Sequence, residues 1–447
     1  MTTATRAAQE VQDIAQRLRD PDHVRAVMAA QDAATPPPGG EPVATWSPTS
    51  LASGYPALAL FYGELARHDS AYRGTTHRYL GLAVDALRRA PHHNGLYSGF
   101  GAVAFAAECA AHGTSDYTSL RGTLRTSLGS AARTALARET RRLDDGVPAD
   151  GFRAWDLITG LTGLGCCLLT QRDPDTEALH GVLTALVRLT DPLVVDGTPF
   201  PGWWVTSQPS SVPQPAFRGG HANLGLAHGI LGPLALLSLA WEQGHRVARQ
   251  EEAVHTVMEF FAQAEERDEE GPYWPRCLPR TRFTASAAGP PTVATTASPL
   301  PGPSWCYGTP SLAHTFHLAA RAFARPDWSA RAGEALRAML RRPHEAGAVI
   351  EPGLCHGWSG IEHVMRCLHA HSPDPEVGEA ANAAGACLRA ARDPEAPFLY
   401  PVPNPRLGRS YHLPGFLGGT AGIGLTLLAG ENAQRAHTPW QRALLLG

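Results

Sequence analysis

LCHGWSGIEHVM, residues 354–365, runs a tight glycine turn straight into a small-residue helix, and the chain uses this device along its whole length. The same pattern opens SGYPALALF at Ser53, SGFGAVAFAA at Ser98, TGLTGLGCCLL at Thr159, HGILGPLALL at His228, YGTPSLAHTF at Tyr307 and GGTAGIGLTLL at Gly418. Laid on the glycines, the seven copies fall at Gly54, Gly99, Gly160, Gly229, Gly308, Gly357 and Gly419. Four keep a second glycine three residues on (Gly163, Gly232, Gly360, Gly422); in the others Ala57, Ala102 or Ser311 holds that place. An internal repeat of this kind sets the architecture before any single motif is read, because each unit can bury its apolar face only against its neighbours.

Between the copies lie more polar helical stretches, near residues 6–31, 73–90, 119–140, 176–190, 246–266, 327–341 and 376–392. They carry Arg, Glu and Asp on one face and Ala, Leu and Val on the other, the period of a helix with one buried stripe. The glycine-opened helices are apolar nearly all round and belong inside. Polar-outside and apolar-inside helices alternating seven times predict an all-α fold, a seven-fold α/α toroid of two concentric helix rings. Its last pair closes onto its first, so no capping repeats are needed. At 447 residues the chain exceeds the roughly 250–300 that one ordinary core covers. No long Gly/Ser linker or charge block divides it, so residues 1–447 are expected to form a single body. Two inserts interrupt the rhythm. Residues 192–222 have β-branched and aromatic runs between turn residues and predict a short hairpin. Residues 270–304, rich in Pro, Ala and Thr, predict a loop at the mouth of whatever site Trp305 adjoins.

A net charge of −3 leaves no basic footprint for nucleic acid. The amphipathic first 24 residues lack the apolar core of a secretory signal, and the apolar helices are broken well before the length of a transmembrane span. The expectation is a cytoplasmic protein. Eight cysteines in so long a chain point to burial or metal binding rather than to disulfide staples.

The repeat also indexes the chemistry. Cys306 and Cys355 each stand two residues before their glycine, while His228, Tyr307 and His356 each stand one before. Equivalent offsets in a ring of repeats place side chains at one end of the barrel. Two thiolates and an imidazole form a recognised zinc set, and three protein ligands leave the fourth position open, as in catalytic sites. A lone cysteine is a buried small hydrophobe in roughly four cases of five; matched offsets and the adjacent His356 reverse those odds for this pair. Cys109, Cys166, Cys167, Cys367 and Cys387 lie in Ala/Leu helices and read as core or incidental, as does Cys277 in the second insert. His363 reads as a packed or outward-facing helix residue rather than a ligand, and Trp305 as packing. His228 points into the same mouth and can move protons near neutral pH. Asp156, four residues before Gly160, either orients His228 or caps a helix, two readings of equal weight on spacing alone. Tyr307 either holds a hydrogen bond in the mouth or packs.

At these residues the chain resembles the lanthionine synthetase C family, the cyclases of lanthipeptide biosynthesis. WDLITGLTG with Asp156, NLGLAHGILG at 223–232, SWCYGTP at 304–310, LCHGWSG at 354–360 and the closing GFLGGTAGIGL carry the resemblance over nearly the whole chain. It implies the seven-fold toroid and one Zn2+ on Cys306, Cys355 and His356. It also implies acid and base roles for His228 and Asp156, with Tyr307 near the metal. The implied reaction is Michael-type addition of a peptide cysteine to dehydroalanine or dehydrobutyrine in a dehydrated precursor peptide, giving thioether rings. A separate dehydratase and an exporter are implied partners, and through such a complex the protein would sit at a membrane. Two departures stand out. The family often has an Arg about four residues before the first zinc cysteine, where this chain has Gly302, so an arginine of the 270–304 insert is the candidate substitute. The 192–222 insert is also too short for the complete β-rich extension of many bacterial members. The rival readings are a non-catalytic peptide-binding scaffold and a zinc-dependent thiol prenyl-transfer enzyme. A toroidal glycosidase is disfavoured because the rim shows one carboxylate, not a pair.

Overall fold

The structure is a computed structural model. It describes residues 3–33, 45–89, 94–210, 214–284, 292–293, 302–342, 349–405, 408–430 and 436–447. Contacts divide the chain into two compact units, residues 1–124 with 349–444 and residues 125–348 with 445–447.

In the first unit the helices are α1 (Thr3–Leu18), α2 (Pro21–Ala33), α3 (Tyr55–His68), α4 (Arg73–Arg89), α5 (Gly99–Ala110), α13 (Trp358–His371), α14 (Pro375–Ala390) and α15 (Thr420–Ala429). The second holds most of α6 (Thr118–Asp144), then α7 (Leu161–Thr170), α8 (Thr176–Arg188), α9 (Leu231–Glu242), α10 (Gln250–Gln263), α11 (Thr309–Ala322) and α12 (Pro326–Leu340). All seven glycine-opened helices form, each after a more polar one. The stretch expected as one helix near 6–31 is two. Pro21 disfavours helical backbone at Asp20, so α1 stops and Pro21 takes the first turn of α2.

Apolar helices pack on apolar helices in both units. In the first, α3 lies against α5 and α15, and α15 also meets α13 and α1. The last repeat therefore packs on the first, the closure expected of a ring. In the second, α9 lies against both α7 and α11. Residues 161–170 of α7 and 420–427 of α15 are buried without a break; burying one such leucine or isoleucine is worth about 1.5–3 kcal/mol.

The glycine turn has a specific cause. The first N–H groups of a helix have no partner inside it, and here the preceding loop doubles back to supply one. Trp358, Ser359 and Gly360 donate to the carbonyls of Glu351, Pro352 and Gly353, each seven residues earlier, at 3.0, 3.2 and 3.4 Å. Thr420, Ala421 and Gly422 repeat the pattern on Leu413, Pro414 and Gly415, and Thr162, Ile230 and Tyr55 make the same bond in their own repeats. Loop and helix come so close that a Cβ on Gly360 or Gly422 would sit 1.9 Å from a loop carbonyl. Neighbouring loops are then stitched together: Leu157 N to Ala227 O, Leu226 N to Cys306 O, Cys355 N to Leu417 O, Phe416 N to Ala52 O and Leu51 N to Tyr97 O, at 2.8 to 3.1 Å. In the second repeat the close-approach glycine is Gly101, 2.2 Å from Gly95 O if given a Cβ, and Ser98 is the N-cap. Alignment on Gly99 and Ala102 is therefore one residue out of register.

The first insert contains the expected hairpin, β1 (Pro192–Val195) with β2 (Thr198–Pro201), joined through Asp196 and Gly197. Both have positive φ, 49° and 74°, as a type I′ turn requires. β3 (His221–Asn223) follows. The second insert departs from the loop expectation, for it holds β5 (Gly271–Tyr273), β6 (Cys277–Pro279), β7 (Phe283–Thr284) and β8 (Thr292–Val293), with β4 (Glu266–Asp268) just before it. β3 pairs antiparallel with β6, joining the inserts. Phe200, Trp204 and Phe283 form an aromatic cluster with centroids 4.2 to 5.3 Å apart, which offsets the ordering entropy of such short strands. Residues 285–291 and 294–301 of that insert lie outside the described residues.

Candidate active site

His228 stands on the loop that precedes α9, one residue before Gly229. Its Nδ1 lies 2.7 Å from Oδ2 of Asp156, a carboxylate that is 1% exposed. The other oxygen, Oδ1, accepts from the backbone N–H of Thr159 and Gly160, both at 2.8 Å. Asp156 is not the cap of α7, which is Gly160; one of its oxygens holds the turn ahead of that helix and the other meets the imidazole. A carboxylate only accepts, so the hydrogen of that bond sits on Nδ1, and Nε2 is the ring nitrogen left for a reacting group. The ring also leans on Phe152, centroids 4.5 Å apart, and about a third of the side chain is exposed.

Cys306 and Tyr307 stand on the loop before α11. Gly308 there has φ 104°, a conformation glycine adopts without strain. The Tyr307 hydroxyl accepts from Asn223 Nδ2 at 2.8 Å, so Tyr307 holds a hydrogen bond rather than only packing. Asn223 Oδ1 in turn accepts from Gly225 N at 2.9 Å. Gly225 has no side chain for a reason: a Cβ would lie 2.4 Å from the tyrosine ring. Burial pushes the Tyr307 phenol well above its ordinary pKa, which keeps it protonated. Ser304 Oγ lies 3.6 Å from the buried Cys306 Sγ and also bonds the Tyr307 N–H and carbonyl. Asn223 and Ser304 were not singled out from the sequence. The Asn-x-Gly and Ser-x-x-Tyr spacings of side-chain-capped turns were the available signal.

Cys355 and His356 share the loop before α13, with Sγ and Nε2 3.6 Å apart. Cys355 and His356 thus give the first unit a thiol and an imidazole side by side, and Cys306 gives the second unit a buried thiol. Two sulfurs and one imidazole nitrogen suit zinc. The other candidates fall away from it. Cys109, Cys166, Cys167 and Cys367 are buried in helices, and Cys387 is exposed. Trp305 is fully buried, and His363 stacks on Trp440 at 4.8 Å. Cys277 lies on β6 opposite Asn223, where burial pushes its thiol up to about 12.

The model of the lanthionine synthetase C-like protein family matches residues 45–445. The chain belongs to that family. It is similar to a solved structure described as nisin cyclase, at 20% identity over 95% of this chain and 97% of the other, with a TM-score of 0.72. This likeness shows the fold, and the all-α toroid expected from the repeat is the one this member of the family shares. A sugar epimerase from a ruminal bacterium aligns over 95% of this chain and 98% of its own at 11% identity; its TM-score of 0.40 carries no argument. No curated protein matches the sequence. Among the described residues no helix is long and apolar enough to cross a membrane.

Proposed function

We propose that this family member is a zinc-dependent cyclase that closes thioether rings in a dehydrated precursor peptide, adding a cysteine thiol to dehydroalanine or dehydrobutyrine. Two arrangements carry this reading: the thiol and imidazole of Cys355 and His356, with the Cys306 thiol in the other unit, and a histidine locked by a buried carboxylate. The first suits a thiol, the second a proton. Bound zinc would offer a fourth position to the substrate cysteine and lower its thiol pKa. Cys306, Cys355 and His356 would be its ligands. His228 Nε2 takes the thiol proton, and Asp156 stabilises the imidazolium that results. The sulfur bonds the β-carbon, and the same proton returns from His228 to the α-carbon, so the product is an isomer of the substrate.

A dehydratase that prepares the peptide and an exporter are the expected partners, and a cytoplasmic site fits both. A single cyclase domain over residues 1–447 is part of this proposal, and the family match over residues 45–445 supports it.

Ring closure changes no mass but consumes a thiol. A synthetic peptide with one dehydroalanine and one cysteine, incubated with and without the protein and then treated with N-ethylmaleimide, should lose its alkylated mass only when the protein is present. Equal alkylation in both samples sinks the cyclase reading. A metal-replete protein that binds the peptide without consuming its thiol would favour a scaffold.

A further inference from the structure

Phe152 is an apolar ring kept out of the core. It lies half-buried on the 3₁₀ turn Phe152–Ala154, between Gly151 and the exposed Arg153. Its ring meets the imidazole of His228 with centroids 4.5 Å apart and planes at 39°. The turn also ties it to Asp156. The Phe152 carbonyl accepts from the N–H of both Trp155 and Asp156, at 3.2 and 3.0 Å. One turn of chain thus carries two groups that meet His228, the carboxylate at Nδ1 and the phenyl against the ring.

The two contacts hold the imidazole in different ways. The hydrogen bond fixes Nδ1 at 2.7 Å from Asp156 Oδ2, but a ring tethered at one atom still swings about that bond. Nε2, on the far side of the ring, travels furthest in such a swing. About a third of the His228 side chain is exposed, and water does not stop the motion. A flat apolar face does. Tilting the imidazole either drives it into the phenyl or opens a gap that forfeits the contact. The carboxylate is itself fixed by the N–H groups of Thr159 and Gly160, so His228 rests between one anchor and one wall.

We infer that Phe152 is a positioning residue for ring closure, the wall that aims Nε2 of His228 at the substrate thiol and then at the α-carbon. This rests on the cyclase reading above, in which one proton leaves sulfur for Nε2 and returns from Nε2 to carbon. Once the S–C bond forms, the sulfur and the α-carbon are both bonded to the β-carbon, so one well-aimed nitrogen reaches both. Misplacing a reacting group by about 1 Å costs about 10²-fold in rate. Phe152 exchanges no proton and forms no bond with the substrate; it works through the imidazole.

The test uses the full-length protein and the peptide with one dehydroalanine and one cysteine. Closure is followed by N-ethylmaleimide trapping, with zinc content and melting temperature measured on each variant. Phe152→Leu keeps apolar bulk and loses the flat face. It should lower kcat about 10–10²-fold with KM and zinc content unchanged. Phe152→Tyr, which keeps the ring, should recover most of that loss. In a His228→Gln background Phe152→Leu should cost about twofold at most, since the group it positions is gone. The His228 ring protons can be assigned in a histidine-labelled NMR spectrum by their absence from His228→Gln. They should move downfield in Phe152→Leu, which removes the shielding face, and stay near their places in Phe152→Tyr. An unchanged kcat in Phe152→Leu overturns the inference. So does a loss of the same size with and without His228, which would make Phe152 a wall for the peptide. A rise in KM alone, or a rate loss that follows melting temperature or zinc content, overturns it too. If the unaltered protein closes no ring, the cyclase reading has failed; His228 signals that stay in place in Phe152→Leu would separately remove Phe152 as the wall.

Discussion

The loop before α9 and the loop before α13 share a backbone and differ in what stands behind the histidine. Both double back to bond the helix start seven residues on, through Ile230 to Asn223 and through Trp358 to Glu351. Both place a histidine one residue before the glycine. Behind His228 lies the buried Asp156, whose second oxygen is tied to two backbone N–H groups. Beside His356 lies the sulfur of Cys355. The same device thus presents one imidazole bonded to a buried carboxylate and one beside a thiol; in the proposed cyclase the first would move a proton and the second would bind metal. The offset from the glycine says where a side chain stands; its neighbour says what it does.

The largest effect should come from breaking the sulfur side. Cys355→Ala leaves two ligands of three, and bound zinc should fall from about one per chain to a trace. Ring closure should drop by 10³-fold or more, because the substrate thiol then keeps its ordinary pKa. Inductively coupled plasma mass spectrometry reads the metal, and full closure by a metal-free variant would falsify the zinc assignment.

Asp156→Asn probes the other loop with the smallest change of shape. The amide oxygen can still accept from Thr159 and Gly160, but the support for a charged His228 is lost. The expected cost is about 10²–10⁴ in rate with zinc content unchanged. The two variants should separate cleanly, one losing metal and rate, the other rate alone. Zinc loss in Asp156→Asn would show that the two loops are not divided by task.

Much of this division was legible in the sequence, and for a physical reason. Glycine at a fixed spacing records a close approach between loop and helix, and that approach recurs wherever the loop must bond the helix start. The repeat therefore gave both the helices and the offsets of Cys306, Cys355, His228 and His356. It misled by one residue at Ser98, since an N-cap may be serine while the close-approach position cannot hold a side chain. Asn223 escaped because it bonds Tyr307, 84 residues further on, and a spacing carries no record of that; Ser304 bonds Tyr307 three residues on, a turn spacing too common to mark a site by itself. The strands of the second insert escaped too, since two or three residues are too few for a period of two to show.

Gly360→Ala tests the backbone device itself. The new methyl must displace the Leu354 carbonyl, which it would meet at 1.9 Å, and the bond from Gly360 to Gly353 is lost with it. Overpacking of this kind costs about 1–3 kcal/mol, visible as a lower urea midpoint. Repeat five shows the natural alternative: Ser311 fills the equivalent place, and its hydroxyl donates to the carbonyl of Ser304, seven residues earlier, at 3.2 Å. Gly360→Ser should accordingly be milder than its size suggests, its hydroxyl donating to the carbonyl seven residues earlier as that of Ser311 does. Equal stability of Gly360→Ala and the parent would remove the close approach as the reason for the repeat.

The smallest effect belongs to a third histidine, His363, which lies on α13 only seven residues beyond His356. It is fully buried, stacks on Trp440, and has the Cys367 sulfur 4.0 Å from Nε2. Burial holds its pKa down to about 3, against about 6.5 for an unperturbed imidazole. Above pH 6.5 neither state is charged and the group is neutral to stability. As pH falls below that, the unfolded chain takes up a proton that the folded one refuses, and stability is lost until the folded pKa is reached. The slope approaches about 1.4 kcal/mol per pH unit. His363→Phe keeps the stack and removes the proton, so the variant should gain about 2 kcal/mol on the parent between pH 7.5 and pH 5. Its ring-closing rate at pH 7.5 should not move. Parallel stability curves over that range would mean that His363 reaches solvent, and the contrast between a histidine placed by the loop and one buried by the helix would lose its meaning.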